Sequence, residues 1–144
     1  MPHLEIRRPY EAMPHYAHMR PADVEIWNVF IEQNPNRFWW VYYDFRVGEP
    51  EEVDHDCLDC VRVAWHDLTR WAVDVIAEDE KAIYVIEIKP HANAKALGQA
   101  KSYAELFTLE HTPAKKVVPV VLTDLRIAST AKAAAAMGIE VWVV

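Results

Sequence analysis

The chain has 144 residues, 52% of them apolar and 26% charged, with a formal net charge of −7. That length suits one domain burying about 68–70% of its unfolded surface, and the composition excludes a disordered chain. No apolar run approaches the ~20 residues of a membrane span, and Met1-Pro2-His3-Leu4-Glu5 lacks the apolar core of a secretory signal, so a cytoplasmic protein with no membrane partner is expected.

Residues 1–20 are rich in Pro, His and Met without a period and read as an N-terminal arm, ahead of a single domain over 21–144. Pro21-Ala22-Asp23 has the look of a helix start, with proline early and an acid in the first turn. Val24, Trp27, Phe30 and Ile31 follow at helical spacing, and Asn34-Pro35-Asn36 stops the helix. Arg37 to Val47, aromatic and β-branched, predicts a strand closed by Gly48-Glu49-Pro50. An acidic loop is expected from Glu51 to about Asp59. Strands are expected near Trp71–Ala77 and Ala82–Lys89, joined by the polar turn Glu78-Asp79-Glu80-Lys81. Residues 94 to 109 read as a helix, Lys116 to Leu122 as a buried strand, Ala128 to Met137 as a helix stopped by Gly138, and Ile139 to Val144 as a last strand. The order α-β-β-β-α-β-α-β ends in a strand–helix–strand crossover, expected to be parallel and right-handed. A mixed central sheet flanked by helices follows.

Charges at particular positions carry the chemistry. Alternation along a strand turns Val85, Glu87 and Lys89 to one face, and Ala72, Asp74 and Ile76 share a face on the preceding strand. If those faces coincide, Asp74 and Glu87 converge. A Glu-x-Lys strand alone is what any half-wetted strand shows. Asp74 inside Trp71-Ala72-Val73-Asp74-Val75-Ile76 is different, because a carboxylate among apolar strand residues needs a partner. Mg2+ takes one or two carboxylates with water or phosphate completing its shell, and the Ile88 carbonyl could add an oxygen. Lys89, one pleat on, could bind a phosphate or orient the attacking water. Gln99 and Tyr103 are four apart and share one helix face with Lys95, and Gly98 beside them suggests a close backbone approach.

Asp74, Glu87-Ile88-Lys89 and the Gln99-x3-Tyr103 pair together resemble the PD-(D/E)xK nuclease superfamily, specifically its RecB-like branch, over roughly residues 22 to 144. The resemblance implies a restriction-endonuclease-like core and a Mg2+- or Mn2+-dependent deoxyribonuclease. Its catalytic residues would be Asp74, Glu87, Lys89, Gln99 and Tyr103, with Asp74, Glu87 and Ile88 holding the metal. The residue before Asp74 is Val73 rather than proline, a variation this group tolerates. Some relatives place another acidic ligand on the first helix, where Glu25 is the candidate. Lys95 and Lys101 are candidate phosphate contacts. So small a domain has little surface for recognising a target, so a homo-oligomer, or a partner protein that brings the DNA, is expected. The negative net charge means that DNA must meet a local basic surface. The competing reading is the same fold without the chemistry, as a nucleic-acid-binding or assembly module.

Other patterns point nowhere specific. Cys57-x2-Cys60, with His55 before it and only His66 nearby, lacks the second ligand pair of a zinc site, and free thiols are expected. Trp39 and Trp40 are adjacent, so one of them faces away from the layer that buries the other. No phosphate loop, dinucleotide fingerprint or nucleophile elbow occurs.

Overall fold

A computed structural model describes residues 6–52 and 69–144. Within them lie α1 (Pro21–Gln33), β1 (Trp40–Val47), β2 (Trp71–Glu78), β3 (Ala82–Ile88), α2 (Ala94–His111), β4 (Lys116–Thr123), α3 (Ala128–Met137) and β5 (Glu140–Val143). The strands form one mixed five-stranded sheet in the order β1-β2-β3-β4-β5. β1–β2 and β2–β3 are antiparallel, while β3–β4 and β4–β5 are parallel and joined through α2 and α3. This is the α/β class and mixed sheet that the pattern of elements implies. Among the described residues no helix is long and apolar enough to cross a membrane.

Each face of the sheet is covered because each helix has an apolar stripe to bury. Ile26, Trp27, Phe30 and Ile31 of α1 pack on Val41, Val75, Ala77, Ile86, Ile88 and Val120. On the other face, Ala104 and Phe107 of α2 meet Val73, Ile76 and Val85, and Ala96, Leu97 and Ala100 meet Val121 and Ala134 of α3. Proline opens α1 and the Asp23 carboxylate accepts from the Arg20 N–H at 3.0 Å, closing its first turn. Asn93 caps α2 by accepting from the Lys95 N–H at 3.1 Å. Gly138, at φ 71°, ends α3 in the left-handed conformation that glycine tolerates.

The start of β1 differs most from the sequence reading, and the arm is packed against the domain. β1 begins at Trp40, three residues late, because Phe38 turns into the α1 core while Trp39 stays 54% exposed beneath the Lys115 ammonium. Residues 6–20 lie on the molecule: Arg8 and Val41 exchange backbone hydrogen bonds of 2.8 and 3.0 Å, and Tyr10, Met13 and Tyr16 join the α1 core.

Strict alternation fails at one level of the sheet. Tyr43 and Val75 face α1, yet their neighbours two residues away, Phe45 and Val73, pack with α2. Asp44 sits between them at φ 52°, a left-handed turn of the backbone that exchanges the faces of β1. Asp74 occupies the same level of β2.

Candidate active site

Asp74 and Glu87 meet because of the register of the hairpin. Val75 pairs with Ile86, and one step further along both strands brings Asp74 opposite Glu87. The two carboxyl groups lie side by side at one cavity, close enough for each to shift the other's proton affinity. The Ile88 N–H donates to Asp74 Oδ2 at 2.8 Å, and the Lys89 N–H donates away from them, to the Leu122 carbonyl, at 2.9 Å. In an antiparallel ladder the N–H and C=O of one residue point to the same neighbouring strand, so the Ile88 carbonyl also lies on the Asp74 side.

Both carboxyls hold their protons well above the usual carboxylate range. For Asp74, burial is the main cause; the Ile88 amide opposes it and the Asp23 charge adds to it. For Glu87, burial leads again, followed by the charges of Asp74 and Asp23, with Lys89 pulling the other way. Two neighbouring carboxylates, one buried and one half-buried, ionise together only with a counter-charge, so the pair favours sharing a proton or taking up a cation. That chemistry fits a hard divalent ion. Among the described residues no group of three or more His, Cys, Asp or Glu could hold a metal by themselves. Mg2+ needs as few as one or two carboxylates with water or phosphate completing its shell, and Asp74 and Glu87 would be those two.

The pair opens into a cavity of about 400 Å³, lined also by His18, Arg20, Ala22, Asp23, Lys89, Pro90, Lys95 and Gln99. The first turns of α1 and α2 both reach it, so two positive helix ends look into a space floored by acids. Gln99 donates to the Tyr103 hydroxyl across a long 3.4 Å. Burial pushes the Tyr103 phenol up, against the Gln99 hydrogen bond, so it stays a neutral hydroxyl.

Asp74, Glu87, Ile88, Lys89, Lys95 and Gln99 thus gather at one cavity, with Tyr103 behind Gln99. Two candidates do not join them. Glu25 lines a different cavity, with Pro14, His15 and Tyr16, because the approach of α1 turns its first residues, not its fifth, toward the strand ends. The acid of that helix beside the pair is Asp23, two residues earlier, which the sequence marks only as a helix-start residue. Lys101 is paired with Glu105 at 3.1 Å along α2, away from the cavity. The close approach expected at Gly98 is also absent, since a Cβ there would meet nothing within 4 Å. Cys57, Cys60, His55 and His66, with most of the acidic loop, lie outside the described residues, as does His3.

The arm contributes residues that its unpatterned sequence did not single out. His18, in a left-handed conformation at φ 63°, places Nε2 at 3.1 Å from Asp44 Oδ2 and also meets the Arg46 guanidinium. Asp44 and Arg46 form a buried ion pair at 3.1 Å. His18 and Arg20 thereby become a wall of the acid cavity.

No protein-family model matches the chain, and no curated protein matches it. Two solved structures are similar. One is a repair endonuclease from Pyrococcus abyssi, 17% identical with a TM-score of 0.51, covering 90% of this chain and 49% of its own. The other is AF1548, a protein of unknown function, 18% identical with a TM-score of 0.46, covering 70% of this chain and 47% of its own. The chain thus spans about half the length of each. The likeness to the repair endonuclease is one of fold.

Proposed function

We propose that this chain is a metal-dependent DNA nuclease of the PD-(D/E)xK superfamily, RecB-like branch, hydrolysing phosphodiester bonds. The observation that carries the proposal is the placing of Asp74 beside Glu87, two carboxyls with raised proton affinity in one open cavity with Lys89 and Lys95 in its wall. The fold shared with a repair endonuclease supports the same reading.

Asp74 and Glu87, with the Ile88 carbonyl, would hold Mg2+ or Mn2+, and Asp23 would add negative potential without closing the shell. The bound ion supplies a more acidic water and stabilises charge developing on phosphorus. Lys89 binds the scissile phosphate or orients the attacking water. Lys95 and the helix ends attract the phosphodiester backbone into a protein of net charge −7. Gln99, steadied by Tyr103, orients the substrate beside it. A domain of this size offers little surface for recognising a target, so a second copy or a partner protein would add to the hold on DNA.

The test is a panel of linear, circular, single-stranded and branched DNA, incubated with Mg2+, Mn2+ or EDTA. Cleavage should require metal and disappear in Asp74→Ala and Lys89→Ala. Cleavage that persists in both variants would sink the reading. Metal-independent DNA binding with no cutting would identify the inactive-module alternative instead.

A further inference from the structure

Trp71 opens β2 with 54% of its surface exposed, three residues from Asp74. At about 3.3 Å per residue that is roughly 10 Å along the strand. Its ring centroid lies 5.9 Å from that of Tyr103, at an interplanar angle of 59°. Tyr103 therefore braces the indole obliquely, and among the described residues no ring stacks parallel upon it. Trp71, Lys95, Gly98, Gln99, Ser102 and Tyr103 line an open, shallow slot of about 300 Å³. Lys95 and Gln99 line both this slot and the acid cavity, so the two spaces adjoin.

Gly98 sharpens the picture. In a helix interior glycine is about 1 kcal/mol worse than alanine. Nothing in the packing requires it here, since a Cβ would meet no atom within 4 Å. What glycine does preserve is the depth of the slot. An exposed indole, an open helix face, a carboxamide and an ammonium form the equipment of a base-stacking subsite: a π-face for any base, hydrogen-bonding groups for a base edge, and a cation for the backbone.

We propose that Trp71 and the groove at Gly98 hold an unpaired nucleobase next to the phosphate that Lys89 would bind beside Asp74 and Glu87, which makes single-stranded or splayed DNA the substrate. The inference rests on the nuclease reading for the seat of the phosphate. A base inside a duplex already has neighbours on both faces and offers none to Trp71. An unstacked base does, whatever its identity, so the slot selects for strand state and not for sequence.

The experiment measures binding without cleavage. A fluorescein-labelled oligothymidylate, an abasic strand of the same length and a blunt duplex are titrated in EDTA at low salt and followed by anisotropy. The wild type should bind the oligothymidylate about tenfold more tightly than the abasic strand. Trp71→Ala and the slot-filling Gly98→Leu should erase that difference, and Trp71→Phe should keep most of it. Thermal melting of each variant identifies any that is merely unfolded, and Trp71→Phe supplies the folded comparison. A wild type that does not distinguish bases from abasic sites, or a Trp71→Ala variant that still does, would overturn the slot. Base discrimination in a protein that never cleaves would keep the slot and remove the nuclease reading. Cleavage without discrimination would do the reverse.

Discussion

The two ends of the β2–β3 hairpin carry carboxylates in opposite circumstances. At the turn, burial alone would raise Asp79, but the Arg37 guanidinium and the amides of Ala82 and Lys81 outweigh it, with the Tyr84 hydroxyl adding to them, and hold it at about 2. Those amides donate across 2.9 and 2.8 Å and the Tyr84 hydroxyl across 3.0 Å. At the open end, Asp74 has one amide hydrogen bond, and Glu87 faces a second acid. One end completes its electrostatics within the chain. The other leaves two carboxyls with raised proton affinity facing an open cavity, the kind of perturbed pair that marks a candidate site.

The comparison breaks most visibly in activity. Asp74→Ala should lower metal-dependent cleavage by on the order of 10³-fold, the loss of several kcal/mol of transition-state stabilisation, read from initial rates on the preferred DNA. In EDTA, by contrast, Glu87→Gln should raise the melting midpoint at neutral pH, because it removes the cost of holding a buried carboxyl protonated, a cost that metal would otherwise relieve. A fall in both activity and stability would make the pair structural.

Next in size is the turn. Asp79→Ala should destabilise the fold by about 2–3 kcal/mol in a denaturant titration, since it strands a charged donor and two backbone amides. Its cleavage rate below the melting range should stay near that of the wild type.

The two ends should also respond to pH with opposite sign. Asp79 is depressed in the folded protein, so its contribution is present above the ordinary carboxylate value and is lost as pH falls toward about 2. The stability gap between wild type and Asp79→Asn should therefore narrow below about pH 4. Asp74 and Glu87 are raised, so the metal-free native state binds protons more tightly than the unfolded chain. Their contribution is greatest below the ordinary carboxylate range and is lost progressively as pH climbs from there up through their raised folded values, a slope that Mg2+ should flatten. Melting curves with and without Mg2+ read both effects.

The smallest effect is Gly98→Ala, expected to stabilise α2 by about 0.5–1 kcal/mol by helix propensity. An alanine that destabilises would show that Gly98 serves the backbone and not the slot.

Much of the site was legible because it depends on local periods. Asp74, Glu87 and Lys89 stand out as charges in strands of period two, and Gln99 and Tyr103 share a helix face by the period of 3.6. Hairpin register then brings the two acids together. The misreading of Glu25 has a different origin. A helical wheel tells which residues share a face, but not which end of the helix points at the strand ends, and that decides for Asp23.

By itself the sequence determined the order of elements, the mixed sheet and the residue types of the acid site, because propensity, alternation and capping act over a few residues. Tertiary structure alone decided the rest. The exchange of faces at Asp44, His18 and Arg20 folding back as a wall, and Trp71 beside an open Gly98 all join residues far apart in the chain. Such contacts depend on how whole elements pack, and no local period encodes them.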